Sequence, residues 1–271
     1  MHFFCYNTLV MAISEKKISE NAEYWNGRAA GYSDVNKWEL AGESRSMWKA
    51  ALKDRISGCC PGRQESEISV LDVGCGPGFF AVILTELGYR VTAVDLSEEM
   101  LGEARMNAGS LAERIQFRRG NAEALDYPDD SFDIVISRNL TWNLPHPDIA
   151  YSEWCRVLKP GGALINFDAN WYRYLHDDDR RAGYEADRAK SESLGLDDQN
   201  VGEGFDVMEE IARDMPLSKI ERPDWDMGFL TGLGMNVRAD TEIWRKVWTD
   251  QEKVNFASTP LFLITAVKSA D

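Results

Sequence analysis

The chain has 271 residues, 44% of them apolar, which is enough for one large α/β domain with an attached cap. Its net charge of −15, with no long basic run, argues against a polyanionic partner, because nucleic acids and anionic membranes are bound through Lys and Arg. Five cysteines, Cys5, Cys59, Cys60, Cys75 and Cys155, show no C-x-x-C spacing. A zinc site and a disulfide framework are both poorly supported, and reduced thiols in a cytoplasm fit better.

Residues 1–10 are mildly apolar but lack a basic n-region, and they are too short for a membrane span. Residues 1–13 read as a disordered tail, with Met11 a plausible natural start. Residues 14–66 read as a helical segment. Ser19-Glu20-Asn21-Ala22-Glu23 is a candidate helix start ahead of Tyr24 and Trp25, and Glu39–Ile56 forms a second helix with Leu40, Met47, Ala51 and Leu52 near one stripe. Residues 57–67 link into a strand.

Val70-Leu71-Asp72-Val73-Gly74-Cys75-Gly76-Pro77-Gly78 is an apolar run closed by glycines at alternate positions. A buried strand is being turned sharply into a helix there, and a ligand can lie against bare backbone at the carboxyl edge of a parallel sheet. Seventeen residues on, Arg90-Val91-Thr92-Ala93-Val94-Asp95 ends in an acid placed to accept hydrogen bonds from a ribose diol. A dinucleotide fingerprint would need glycine at the position of Phe79. Strands are expected near 68–73, 90–95, 115–119, 132–137 and 162–168, and helices near 78–87, 97–108 and 147–158. This alternation implies a parallel sheet with right-handed crossovers. Residues 170–225 hold fifteen acidic against eight basic residues and read as an inserted substrate cap. A short helix near 227–233, a strand within 235–247 and a nearly continuous apolar strand, Leu261–Val267, complete the chain. The core is assigned to 67–169 and 226–271.

Four segments in order resemble the class I S-adenosylmethionine-dependent methyltransferases of the methyltransferase-11 type, which includes quinone-biosynthesis C-methyltransferases. They are Gly74-x-Gly76-x-Gly78 with Asp72, the turn Gly120-Asn121-Ala122-Glu123, Asp130-Ser131-Phe132-Asp133, and Arg156-Val157-Leu158-Lys159-Pro160-Gly161-Gly162. The stretch Tyr24-Trp25-Asn26-Gly27-Arg28-Ala29-Ala30-Gly31-Tyr32 resembles a segment that closes over the cofactor in that family. The resemblance implies a Rossmann-like, doubly wound α/β fold. Its seven-stranded sheet would be mostly parallel, with an antiparallel last strand between strands five and six, and a helical cap would be added. It further implies S-adenosyl-L-methionine as cofactor, S-adenosyl-L-homocysteine as product and a small-molecule acceptor; charge and residue spacing argue against nucleic acid, membrane and metal, and a monomer or homodimer is expected. Cofactor-binding positions carried over are Tyr24, Asp72, Gly74, Cys75, Gly76, Gly78, Asp95, Leu96, Met100, Asn121, Ala122, Glu123, Arg138 and Asn139. Asn121 stands where the family has Asp, so an amide would do that work without charge.

Methyl transfer from a sulfonium needs a base only if the nucleophile arrives protonated. Candidates are His146, after strand four, and Asp168, ending strand five, with His176 in the cap. Each also has a plain structural reading as a loop, turn or solvated residue. Trp142, Trp171 and Tyr172 form a candidate aromatic wall for substrate, which together with an acidic cap hints at an amine or other cationic acceptor. Competing readings are a protein or tRNA methyltransferase, a nucleotide-binding oxidoreductase, and a non-catalytic cofactor-binding sensor. The identity of the acceptor, and which atom is methylated, stay open.

Overall fold

The computed structural model describes residues 2–197 and 205–270, with side chains described for 16–197 and 206–270. Helix α1 (His2–Ala41) is followed by α2 (Glu43–Cys59). The expectation of a disordered tail over 1–13 is corrected by α1, which begins at His2. No Gly or Pro interrupts residues 2–26, so nothing in that stretch stops a helix from propagating. For the same reason Ser19 starts no helix. The break falls at Gly42, and α2 begins at Glu43 rather than Glu39.

The core then alternates as β1 (Ser69–Val73), α3 (Phe79–Glu86), β2 (Arg90–Asp95), α4 (Glu98–Ala108), β3 (Ile115–Arg119), β4 (Phe132–Arg138), α5 (Pro147–Val157) and β5 (Leu158–Asp168). After it come α6 (Asp178–Ser193), α7 (Phe205–Asp214), α8 (Asp224–Gly232), β6 (Asn236–Asp240), α9 (Trp244–Val247), α10 (Asp250–Asn255) and β7 (Phe262–Val267). The sheet order is β3-β2-β1-β4-β5-β7-β6. Strands β1 to β5 pair in parallel, and β7 runs antiparallel to both β5 and β6. This is the doubly wound, Rossmann-like arrangement that the family resemblance implies, on the parallel sheet that the strand–helix alternation implies. Strand β5 starts earlier than expected because Leu158 pairs with Phe132 across a register shift.

Both faces of the sheet are covered, so β4 is buried from Phe132 to Ser137 without alternation. Leu52, Ile56, Phe80 and Leu84 pack one face, and Tyr151, Trp154 and Leu230 pack the other. The insertion after β5 lies at the carboxyl ends of the strands. Met208 and Ala212 of α7 are buried against Trp142, which follows β4, in a cluster that includes Trp25 of α1 and Trp171 and Tyr172 after β5. Its acidic run opens α6, where Asp177 accepts a hydrogen bond from the Arg180 amide (3.0 Å) and Asp178 and Asp179 occupy the first turn. Carboxylates there complement the helix dipole.

Candidate active site

The loop after β1 holds Gly74 at φ +66°, Gly76 at +51° and Gly78 at +91°, a region that side chains with a Cβ avoid. A Cβ on Gly74 would also sit 2.6 Å from Leu140. The loop is fastened to β2. The Gly74 and Cys75 amides donate to the Val94 carbonyl (2.8 and 3.0 Å), and the Gly76 amide donates to Asp95 Oδ2 (2.8 Å). The other carboxylate oxygen of Asp95 accepts from the Ser97 amide at 2.9 Å, and Ser97 Oγ in turn caps α4 by accepting from the Met100 amide. Burial raises the Asp95 carboxyl while these amides oppose the rise. Carboxylate oxygens accept more than one hydrogen bond, so both retain capacity toward a diol.

A cleft at this edge is lined by Gly74, Gly76, Asp95, Leu96, Met100, Asn121, Ala122, Arg138 and Asn139, all among the expected cofactor positions. Asp72 and Cys75 line a smaller recess beside it, together with Gly74, Gly76 and Arg138. Gly78 instead caps α3, where an added Cβ would meet Ala104 at 3.0 Å. Two positions are placed elsewhere. Glu123 is committed to His146, and Tyr24 faces a groove with Val207 and Ile211 of the insertion. Asn21, Ala22, Trp25 and Tyr32 of α1 line the cleft in its stead, as do Ser97, Gly120, Leu140, Asn143 and Leu144. The helical spacing of Asn21, Trp25 and Tyr32 is the signal that selects Trp25 over its neighbour.

Among the described residues, five buried polar atoms of this region have no hydrogen-bond partner: Asn21 Oδ1, Asp72 Oδ2, Asn139 Oδ1, Asn143 Oδ1 and Arg138 Nη1. Buried groups of this kind are costly unless something completes them. Four acceptors and one cationic donor match an ammonium and a carboxylate, the two ends of an amino-acid tail. The Asp72 carboxyl is pushed up to about 7, first by burial and then by the nearby Asp95, and an ammonium would restore its charge. Leu96, Met100, Ala122 and Leu144 add apolar wall. The residues present therefore fit S-adenosylmethionine.

A second cleft shares Trp25, Tyr32, Arg138 and Asn139 with the first. Its remaining walls come from α1 (Glu39), α2 (Trp48), the turns after β4 and β5 (Trp142, Trp171, Tyr172, Tyr174), and Trp248, Glu252, Phe256 and Leu261. The three expected substrate residues, Trp142, Trp171 and Tyr172, thus meet in one place. The Trp142 and Tyr172 ring centroids are 4.7 Å apart, and Trp171 meets Phe256 edge-on at 5.3 Å. Arg138 stands between the clefts. Its guanidinium lies 4.6 Å over Phe79 and 5.1 Å over Trp48, and it donates to Glu39 Oε1 at 2.5 Å. Asn139 has φ +57° and is held by its amide on the Phe167 carbonyl (2.8 Å), while its own carbonyl accepts from Trp142 Nε1 (2.9 Å). A non-glycine residue in this region is a strained conformation of the kind that collects at functional sites.

The candidate bases are corrected. His146 Nδ1 lies 2.8 Å from Glu123 Oε2, and the His146 amide donates to Glu123 Oε1 at 2.7 Å, so the pair braces the start of α5. Asp168 is completely enclosed. It accepts from Thr141 Oγ1, from the Trp142 amide (3.1 Å) and from Arg222 Nη1 (2.8 Å). Arg222, also enclosed, reaches Thr141 Oγ1 (2.7 Å) and both carboxylate oxygens of Asp226 (2.6 and 2.9 Å). This network ties the turn after β4 to α8. His176 is exposed in the insertion and lines neither cleft.

Residues 71–166 match the family described as Methyltransferase domain (Methyltransf_11). The ubiquinone/menaquinone biosynthesis C-methyltransferase UbiE of Vibrio vulnificus is 32% identical over 157 residues, covering 56% of this chain and 57% of that protein. Its counterpart in Methylobacterium nodulans is 38% identical over 136 residues, covering 49% and 52%. The chain thus spans little more than half the length of these curated relatives. Among solved structures, an S-adenosylmethionine-dependent methyltransferase of Aquifex aeolicus superposes with TM-score 0.52 at 19% identity, covering 86% of this chain and 97% of that one. A Haloferax volcanii methyltransferase in complex with the Trm112 activator gives 0.57 at 19%, covering 90% and 97%. At such identity the likeness is one of fold. Motifs, sheet order and sequence relatives converge: residues 71–166 of this chain match a methyltransferase domain, carried on the fold of S-adenosylmethionine-dependent methyltransferases.

Proposed function

We propose that the protein transfers the methyl group of S-adenosylmethionine to a small-molecule acceptor with an amine or other cationic centre. The observation that carries this reading is the second cleft, which shares Arg138 and Asn139 with the first and is walled by aromatic rings. Its charged lining, Glu39, Glu252 and Arg138, sums to one negative charge. Desolvated aromatic faces favour a cation by up to about 2 kcal/mol, and a net carboxylate adds to that preference.

The cofactor supplies an activated methyl on a good leaving group. The protein's part is to hold the reactants. In this reading Asp95 takes the ribose hydroxyls, and Asp72, Asn139, Asn143 and Arg138 take the amino-acid tail. The rings of Trp142, Trp171 and Tyr172 hold the acceptor across the shared wall. Helix α1 and the start of the inserted cap, Trp171 to Tyr174, exclude water. Positioning of this kind supplies much of the rate of a bimolecular displacement. The same rings also suit a flat, neutral acceptor methylated on carbon, the chemistry for which the sequence relatives are named. An RNA substrate is disfavoured by the acidic surface, and a non-catalytic sensor has no use for a second cleft.

A panel of alkyl amines, anilines, phenols and quinols incubated with methyl-labelled cofactor tests the reading. Label in the amines supports it, and label confined to the neutral or acidic compounds overturns it. Binding of S-adenosylhomocysteine without any transfer would favour the sensor.

A further inference from the structure

We propose that Glu39 takes the proton from the ammonium of the acceptor, freeing the nitrogen lone pair for attack on the methyl group. The inference rests on the amine reading above. An alkyl ammonium has no lone pair, so a site that attracts it through charge must also accept a proton before displacement occurs.

The titratable side chains of the second cleft other than Arg138 are Glu39, Glu252, Tyr32, Tyr172 and Tyr174. Glu252 is fixed to helix α10 through one oxygen, Oε2, which accepts from the Thr249 amide (2.7 Å) and Thr249 Oγ1 (2.8 Å) in a reciprocal capping box. Tyr174 donates to Glu209 Oε1 at 2.7 Å. Burial raises the phenols of Tyr32, Tyr172 and Tyr174, so they stay protonated and accept poorly. Glu39 differs. Its Oε1 is engaged by Arg138, but among the described residues its Oε2 meets only Asn36 Nδ2, at 3.5 Å. It belongs to α1, whose Trp25 and Tyr32 line both clefts, and it pairs with the arginine that separates them.

The groups facing Glu39 set its proton affinity. Burial raises its carboxyl, Arg138 from β4 lowers it, and Glu252 from α10 raises it again. The Tyr32 phenol on α1 senses Glu39 too, whereas α2 contributes the neutral ring of Trp48. The balance is upward, toward the range in which a carboxylate accepts protons effectively. In the step itself an N–H proton moves to Glu39 Oε2 and the freed pair forms the N–C bond. The C–S bond breaks with its electrons remaining on sulfur, giving an N-methyl ammonium and a thioether. The proton on Glu39 then passes to solvent.

The test compares Glu39→Gln with the native enzyme on an alkyl amine, which is an ammonium near neutral pH, and on an aniline, which is already neutral. Loss of about 100-fold in kcat on the alkyl amine, with less than about threefold on the aniline, is expected, and raising the pH should recover part of the loss. Glu39→Asp should retain intermediate activity. Equal losses on both amines, or none on the alkyl amine, would overturn the inference. Should Glu39→Gln not fold, the native kcat profile decides. An acidic limb for the alkyl amine that lies well below the pKa of that amine, and that the aniline lacks, supports Glu39, and matching profiles or a limb at the amine's own pKa refute it. Native protein that binds S-adenosylhomocysteine but methylates neither amine would sink this inference and the amine reading together, leaving the cofactor assignment intact.

Discussion

The two clefts meet at Arg138 and Asn139 yet are built in different ways. The first takes most of its lining from one continuous stretch, Gly74 to Leu144, and much of it is backbone or small side chain brought to the carboxyl ends of adjacent parallel strands. The second collects large side chains from α1, α2, the turns after β4 and β5, and the segment between α9 and β7. A site made from consecutive strand ends is specified by local order. A site made from distant side chains is specified only once the chain has packed. Mutations should separate the two accordingly.

The largest effect is expected at the brace behind the second cleft. Arg222→Met leaves Asp168 and Asp226 enclosed without their counter-charge, which should cost about 3–5 kcal/mol of stability, read as a drop in the denaturant midpoint. Next comes Asp95→Ala. Loss of charge-assisted hydrogen bonds worth about 1.5–3 kcal/mol each should weaken S-adenosylhomocysteine binding by at least about tenfold in calorimetry. An unchanged dissociation constant would place the ribose elsewhere. Tyr172→Ala should raise the acceptor KM by about fivefold, from ring contacts worth about 0.5–1.5 kcal/mol, while cofactor affinity holds. Equal loss of both affinities would show that the clefts are not independent.

The smallest effect is one of pH. The Asp72 carboxyl is raised to about 7 in the free protein, far above the unfolded value of about 4. It therefore stabilises the fold most when protonated, and that contribution declines as pH rises from about 4 to 7. An ammonium tail favours the ionised form, so cofactor affinity should strengthen as pH rises through about 7 and then level off, with proton release visible in buffers of different ionisation heat. Asp72→Asn should flatten the profile, and a flat profile in the native protein would remove Asp72 from the site.

How much of this was legible beforehand follows from the same contrast. Strand–glycine–helix–strand–acid is a local pattern, so the loop at Gly74 and its partner Asp95 could be named, and most element boundaries came within a few residues. Helix α1 was harder. Its buried face carries Asn21, Ser33, Asn36 and Glu39, so hydrophobic periodicity does not mark the inward side, and Tyr24 was preferred to Trp25. Asp168 read as a strand-end acid near the chemistry because its counter-ion, Arg222, lies 54 residues away. His146 misled similarly, since Glu123 is 23 residues upstream. Glu39 stood in the sequence as an ordinary helix acid. Only packing revealed its enclosure and its arginine.

The fastening of Asp95 to the amides of Gly76 and Ser97 has one further consequence. If the ribose docks there as proposed, its seat is already assembled, and little chain entropy is spent on docking. The spent thioether carries the identical sugar and base, and this grip cannot tell it from the donor. Preference for the donor must come from the sulfonium charge near the shared wall, and turnover must then depend on how quickly α1, pinned by Asn21 to the Asn143 carbonyl at 2.7 Å, lets the by-product escape.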